Sequence, residues 1–321
     1  MSPHSDPCPD HSRQKGFALI IVVWIGILLA LIAAAFSSSV RSRLRSAAGT
    51  AETLQSEALA DAGVRIVLLE LLNQKSAPTN GSRFSPGGTA LFCTPGHDAT
   101  LILQLEDEEG KVNLNSENED LLTALFSGLG AKHESAREYA EKILDFRDNN
   151  SDKRPDGAEL DDYKKGSPTT LGPKNANFDS VDELDQVLGI PQDIREKAKP
   201  FLSVLSSKEG IDPAVASPAL KDVLVRGAGG IVATPLGGAS SVSGIQISSD
   251  LPAAFVASST HRAYQIRAEA VLPSGARYVS EAVIGLPGSG ATSPILQHWR
   301  RGSSNLPAAI VVPSAKSLPP C

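Results

Sequence analysis

The sequence predicts an α+β protein carried on one long N-terminal helix, with a small antiparallel sheet and a large all-helical block set between its strands. Three observations predict it. Phe17–Phe36 is twenty residues without a charge. The segment from Tyr264 to Leu286 alternates apolar and polar residues around a Pro-Ser-Gly turn, as a hairpin does. From Ser116 to about Leu205 the apolar residues recur instead at steps of three and four.

The apolar run comes first. At roughly 1.5 Å per residue it makes a helix about 30 Å long, the hydrocarbon thickness of a bilayer. The apolar part of a cleaved secretory signal is shorter, about 7–15 residues, and is followed by a small-residue cleavage site. A retained single span is therefore expected. Arg13 and Lys15 precede it, which places the N-terminal side in the cytoplasm and the bulk of the chain outside. Arg41, Arg43 and Arg45 follow it and run against that rule. Beyond the span, Leu54, Ala58, Ala62, Ile66, Leu69 and Leu72 lie on one helical face, expected to pack on a soluble domain. Asp61 and Arg65 have the spacing of an i,i+4 ion pair on another face.

After a turn-rich loop, Thr100–Leu105 and Lys111–Asn115 read as strands around an acidic turn that ends at Gly110. Glu106, Asp107, Glu108 and Glu109 read as a solvated turn without chemistry. The helical block, 116–205, carries three capping-box patterns: Ser116 with Glu119, Ser135 with Glu138, and Ser180 with Glu183. The helices they open would turn inward Leu122, Leu125 and Phe126; Ala136, Tyr139, Ala140 and Ile143; and Val181, Leu184 and Leu188. Gly189 is a helix stop, and Pro191 suits the start of another helix with Ile194, Ala198 and Phe201 inward. The third part, 206–286, returns to strands: Gly244–Ser249, then Tyr264–Leu272 and Ala276–Leu286. From 287 to 321, glycine, serine and proline predict a flexible tail.

Composition narrows the function. A net charge of −6 argues against a nucleic-acid binder. Aromatic residues at 5% leave little for a base- or sugar-stacking platform. The cysteines Cys8, Cys93 and Cys321 have no metal-ligand spacing. Cys93 and Cys321 either pair in an oxidising compartment or stand as separate thiols; the sequence leaves both open. There is no nucleophile elbow, no phosphate-cradling glycine loop and no histidine-metal spacing, so catalysis is not expected.

One loop has a cation's ligand inventory. "DNNSDKRPDGAE" runs from Asp148 to Glu159. Counted on a twelve-residue calcium loop, it offers Asp148, Asn150, Asp152, the Arg154 carbonyl, Asp156 and Glu159. All are hard oxygen donors. Lys153 stands where the sharp turn of an EF-hand demands glycine, so this is an acidic loop suited to calcium rather than an EF-hand. Asp161 and Asp162 lie just beyond it. The bound ion would be structural.

These pieces resemble a known family. The Lys15-Gly16-Phe17 junction resembles a prepilin cleavage site, with Phe17 as the first mature residue and 1–16 as the leader. The stretches "DEEGKVNLNSENEDLL", "ILDFRDNN", "RPDGAELDDY" and "PKNANFDSVDELDQVLGI", across Asp107–Ile190, resemble the type II secretion minor pseudopilin of the K type. Family members often carry Trp where this chain has Phe146. The resemblance implies a pseudopilin fold, in which 17–36 is the membrane part of the first helix. There, 37–115 continues the helix into the first strands and a helical domain is inserted between strands. It also implies calcium in the acidic region, cleavage and methylation by a prepilin peptidase, and residence in the bacterial inner membrane with the C-terminal domain in the periplasm. The implied role is non-enzymatic. The protein would cap the tip of the pseudopilus with minor pseudopilins of the I and J types, start its assembly with the major pseudopilin, and help export folded proteins. Most pilin-like chains have Glu at the fifth mature position, where it meets the amine of the subunit above; here it is Ile21. A tip subunit has no such amine to neutralise, and a buried carboxylate needs a partner.

Three other readings compete. "LDQVLGIPQDIREKAKPFL" has the helix, glycine turn and helix of a membrane-anchored helix-hairpin-helix DNA receptor, but Asp182, Glu183, Asp185 and Asp193 would repel phosphates. A type IV minor pilin fits poorly with the large insertion and the missing Glu. An anchored periplasmic enzyme lacks a recognisable site.

Overall fold

The computed structural model describes residues 15–76, 83–96, 98–166, 172–229, 251–286, 294–302, 313 and 315–321. The chain divides into two compact units, 1–55 and Ser56–Cys321. Helix α1 runs over Lys15–Ser76. In the first unit it is apolar enough and long enough to cross a membrane. Its large apolar side chains from Leu19 to Phe36 are exposed.

The second unit has two cores. In the first, α1 lies on a five-stranded antiparallel sheet of order β1-β2-β5-β6-β7. These strands are Leu91–Cys93, Thr100–Asp107, Ala263–Val271, Arg277–Gly285 and Ile295–Arg301. The expected hairpin is present within a residue at each end, with Ala270 opposite Tyr278. Helix and sheet meet through small residues. Ala60, Val64, Val67 and Leu71 of α1 are buried against Ile266, Ala268, Ala270 and Ala282. A Cβ on Gly63 would stand 2.9 Å from that of Ala268, so the backbone of α1 approaches the sheet closely.

This packing face differs from the expected one in part: of the expected set, Ile66 and Leu72 are half-buried and do pack against this core. On a 100° step, Ala60, Gly63 and Val67 lie opposite Ala58, Ala62 and Leu69. Ala58 and Leu69 are exposed, and so is Leu54. The helix therefore has two apolar faces, and the one richer in small residues met the sheet. Nor do Asp61 and Arg65 pair with each other. Asp61 accepts hydrogen bonds from Ser280 Oγ at 2.7 Å and Trp299 Nε1 at 3.2 Å, while Arg65 lies 5.6 Å over the Trp299 ring. That strand, β7, and the pinned C-terminus correct the expected 287–321 tail. Cys321 is disulfide-bonded to Cys93, and its N–H donates to the Thr94 carbonyl at 3.1 Å.

The second core is the insertion. It leaves the sheet after Asp107 and returns before Tyr264, residues directly paired between β2 and β5. It thus reaches well beyond the expected 116–205. Its helices are α2 (Glu119–Gly128), α3 (His133–Arg147), α4 (Leu160–Gly166), α5 (Gln192–Ala198) and α6 (Pro218–Gly227). Helix α6 falls where strands were expected. It crosses α2 with backbones in contact: a Cβ on Gly128 would stand 1.9 Å from the Val223 carbonyl, and one on Gly227 would stand 1.7 Å from that of Ala124. Two short parallel strands, β3 (Val112–Asn113) and β4 (Leu202–Ser203), clasp the helical part. The strand expected at 244–249 lies outside the described residues.

Two capping assignments also change. Asn118, not Ser116, caps α2, its side chain accepting from Leu121 N–H at 3.0 Å. Ser135 lies inside the first turn of α3, which starts at His133. Ser180 caps as expected, accepting from Asp182 N–H, but the turn it opens at Val181–Gln186 is a 3-10 helix.

The largest correction is the acidic turn. Asp107, Glu108, Glu109 and Gly110 are buried, not solvated. Asp107 Oδ2 accepts from Ser259 Oγ at 2.8 Å and lies 2.7 Å from His261 Nδ1. Glu109 accepts from the Ser207 and Thr260 hydroxyls, the Ser259 hydroxyl and the Thr260 N–H. Lys111 bridges Glu106 at 2.9 Å and Glu108 at 3.0 Å. Burial pulls the Lys111 pKa down, but those two carboxylates outweigh it and hold the ammonium above its ordinary value. For Glu109, burial pushes upward and the Thr260, Ser259 and Ser207 hydrogen bonds pull further downward, leaving it below 4.5.

Two outcomes follow for the soluble part from Ser37 onward. Glu109→Gln loses hydrogen bonds to a charged acceptor and lowers stability at pH 7 by about 1.5–3 kcal/mol. A carboxylate with a depressed folded pKa stabilises fully above its unfolded value and less as pH falls through the folded one. Urea unfolding should therefore show the gap to the parent narrowing below about pH 4.5. Cys93→Ser should cost about 2–5 kcal/mol in the oxidised protein and nothing under reducing conditions, read by the same unfolding curves.

Candidate functional site

Two regions invite function: the loop between α3 and α4, and the open face of α1 in the second unit. The loop is built on the end of α3. That helix buries Ala136, Tyr139, Ala140 and Ile143 as expected, and the same turn of the helix also buries Glu141 and Asp145. Asp145 is fully buried. The chain then passes through Asp148 and returns over Asp145. A Cβ on Gly157 would collide with Asp145 Oδ2 at 1.9 Å, so glycine is required for that return.

Of the expected ligands, Asp148 is half-buried, Asn150, Asp152 and Asp156 are exposed, and Glu159 is buried. Asn150 accepts from Asp152 N–H at 2.6 Å, and the Asp156 N–H donates to Glu141 Oε2 at 2.6 Å. No group of three or more acidic, histidine or cysteine side chains able to hold a metal converges among the described residues. Arg154 holds the cationic place instead. Its Nη1 lies 2.8 Å from Asp145 Oδ1 and 2.9 Å from Asp148 Oδ2, and its N–H reaches Asp145 Oδ2 at 3.2 Å. Lys153, in the position where an EF-hand has glycine, pairs with Asp162 at 2.9 Å. The Lys153 and Lys165 ammonium groups hold the Asp162 carboxyl well below the usual range.

One atom is left over. Glu159 Oε1 is buried with no hydrogen-bond partner. Burial, and then the charges of Asp145, Asp148 and Asp152, push its pKa above 4.5. An orphaned carboxylate oxygen near other carboxylates is the kind of donor a hard cation takes, although these side chains do not converge into a metal-holding group. Such an ion would compete with Arg154 for Asp145 and Asp148. Asp145 was missed from the sequence because it lies on a helix, outside the twelve-residue frame.

The seam at Asp107 has serine, histidine and aspartate side by side, yet it is not a nucleophile relay. The same His261 Nδ1 lies 3.2 Å from Ser259 Oγ and 2.7 Å from Asp107 Oδ2. A relay needs the two imidazole nitrogens to face different partners.

Along the span, Gly16, Phe17 and Ile21 all lie on α1. Ile21 is exposed among other apolar side chains. The Gly16 and Phe17 side chains and leader residues 1–14 lie outside the described residues. On the same helix in the second unit, Ala58 and Leu69 are exposed, and Ala62 and Ile66 are half-covered between them. Ile66 also packs against the core between helix and sheet, so the open part of this strip is Ala58 and Leu69 with the half-covered Ala62, flanked by Asp61 and Arg65.

Residues 102–207 match the family model of the type II secretion system (T2SS), protein K. That stretch contains most of the segments whose resemblance to the K type was noted above, and bears that resemblance out. A chain in the crystal structure of the GspK-GspI-GspJ complex from the enterotoxigenic Escherichia coli type 2 secretion system superposes with a TM-score of 0.56 at 17% identity. The alignment covers 82% of this chain and 100% of that one. At that identity the likeness is one of fold, and it fits the expected α+β architecture with its inserted helical domain. No curated protein matches.

The orphaned Glu159 oxygen yields a two-sided outcome. At pH 7, Glu159→Gln should raise the stability of the metal-free protein by about 1 kcal/mol, since it removes a buried charge that faces other carboxylates and has one oxygen without a hydrogen-bond partner. It should also shrink the rise in melting temperature that calcium gives the parent relative to chelator. Thermal unfolding that is the same in calcium and in chelator, for parent and variant alike, sinks the calcium assignment.

Proposed function

We propose that this chain, which carries the type II secretion protein K module at residues 102–207, works as a non-enzymatic minor pseudopilin at the tip of a short periplasmic pseudopilus. The observation that carries the reading is the second apolar face of α1. A helix that has already buried one face on its own sheet leaves Ala58 and Leu69 exposed and Ala62 half-covered. An apolar strip of this kind is matched by the helix of another subunit packing ridges into grooves. The chain in the Escherichia coli complex has partners named GspI and GspJ. We take minor pseudopilins of the I and J types as the occupants of this face.

The rest of the reading follows the chain. A prepilin peptidase cuts after Gly16 and leaves Phe17 as the first residue, which is then methylated. The span holds the protein in the bacterial inner membrane with the larger unit in the periplasm, where oxidising conditions suit the Cys93–Cys321 bond. Calcium, held by residues among Asp145, Asp148, Asn150, Asp152, Asp156 and Glu159, adds positive charge at carboxylates that Arg154 otherwise serves. At the tip, Ile21 has no subunit above it and needs no carboxylate. The complex starts assembly of the major pseudopilin and helps drive folded proteins outward. The DNA-receptor reading gains no support from the seam or the loop, both of which are acidic.

Co-purification with I- and J-type minor pseudopilins tests the role. Leu69→Asp should lower recovery of the complex about tenfold or more while leaving the unfolding curve of the isolated chain unchanged, because Leu69 is 61% exposed. Equal recovery removes this face from the interface. Separately, Ile21→Glu should leave leader cleavage intact, read as the size shift with co-expressed peptidase. Lost cleavage contradicts the assignment of Ile21 to assembly.

A further inference from the structure

The three arginines that break the charge rule form a geometrical set. Arg41, Arg43 and Arg45 are exposed on α1, and none joins an ion pair among the described residues. On a 100° step Arg41 and Arg45 share one side of the helix and Arg43 points to the opposite side. They form a girdle about 6 Å tall. No Asp or Glu occurs from Phe17 until Glu52, so nothing near them on the helix neutralises them.

Their depth is set by the span. The apolar run ends at Phe36, and Arg41 lies about 7.5 Å further along the axis. The headgroup layer of a bilayer extends about 5–8 Å beyond the hydrocarbon. Side chains on a helix lean toward its N-terminus, here back toward the membrane. Long arginine side chains extend along that direction and deliver guanidinium groups to phosphates, with bidentate geometry. Between the apolar run and the girdle, Ser38 returns its hydroxyl to the Ala35 carbonyl at 2.8 Å.

We propose that Arg41, Arg43 and Arg45 form a binding collar for anionic phospholipid headgroups in the leaflet on the side away from the N-terminus. The argument for lipid is the azimuth. A protein partner docks on one side of a helix and would meet either Arg43 or the Arg41–Arg45 pair. Headgroups surround the helix and meet all three. The collar fixes how far the helix sinks and gives the span a polar stop at an end where the charge rule expects few cations. This rests on the membrane reading proposed above.

The test uses the full chain in vesicles, with Trp24 and Trp299 replaced by Phe and a single reporter, Val40→Trp, beside the collar. Quenching by brominated phosphatidylglycerol is compared with quenching by brominated phosphatidylcholine. The phosphatidylglycerol preference should be at least about threefold with the arginines present. It should fall to about one in Arg41→Gln/Arg43→Gln/Arg45→Gln. Equal quenching by both lipids in the parent, or a preference unchanged in the triple variant, overturns the collar while leaving the span intact. No quenching by either lipid places residue 40 away from a bilayer, and then the spanning reading and the collar fail together.

Discussion

The second unit depends on one buried turn. The insertion can exist only if the chain leaves the sheet and comes back at neighbouring strands, so Asp107 and Tyr264 must stay paired. Between them the chain travels through a separate hydrophobic core. The turn at Asp107–Lys111 joins the two cores, and it is built from carboxylates rather than apolar residues. Burying carboxylates is costly unless each finds donors. Here the donors come from the returning segment: Ser259, Thr260 and His261, together with Ser207 and Lys111. The pairing is therefore conditional. Asp107 and Glu109 are tolerable in this place only when residues 259–261 have come back to meet them. That makes the junction specific in a way an apolar seam would not be, since apolar surfaces tolerate slippage. Gly110 adds a steric condition, because a Cβ there would stand 2.8 Å from the Val215 carbonyl.

The same logic of close approach governs α1. Gly63 and the alanines opposite it bring the helix down onto the sheet, which leaves little room for larger side chains on that side. Leu69 is left exposed on the other. Strand β7 then tethers the flank of the open face through Trp299, with its indole N–H on Asp61 and its ring under Arg65. The last residue is tied to β1 by a disulfide and by backbone hydrogen bonds. The open strip is thus edged by polar contacts that fix its limits without covering it.

Much of this was legible in the residues. Strict alternation from Tyr264 to Leu286 placed the hairpin, and three-four periodicity placed α2 and α3 with the right residues inward. What escaped had physical reasons. A run of acids looks solvated unless its donors are known, and those donors are about 150 residues away in sequence. Helix α6 is short and buries only Leu220, Val223 and Leu224, and part of its contact with α2 is made by glycine backbone, which has no hydropathy. Strand β7 is exposed along its whole length and carries no alternating pattern to read. On α1 the sequence held two apolar faces, and periodicity alone favoured the one with larger side chains. In the loop, spacing drew attention to Asp148 and Glu159 but not to the buried Asp145, which meets Arg154 because the chain folds back at Gly157.

The charges along the first unit give the last step. From Phe17 to Ala51 the helix has cations but no carboxylate. A charge inside the apolar run would have to be neutralised both in lipid and among packed helices, and in each place by a different partner. With Ile21 in the run, transfer between the two surroundings exchanges apolar contacts for apolar contacts, a change that is nearly neutral because lipid tails and leucine side chains are alike. The resistance to transfer is concentrated, on the proposed reading, at Arg41, Arg43 and Arg45, which would exchange headgroup phosphates for other acceptors as the helix left the bilayer. On the proposed reading the span is a nearly frictionless shaft and the arginine collar is its catch. The barrier to release, on that reading, lies with three exposed side chains rather than with the twenty apolar residues they follow.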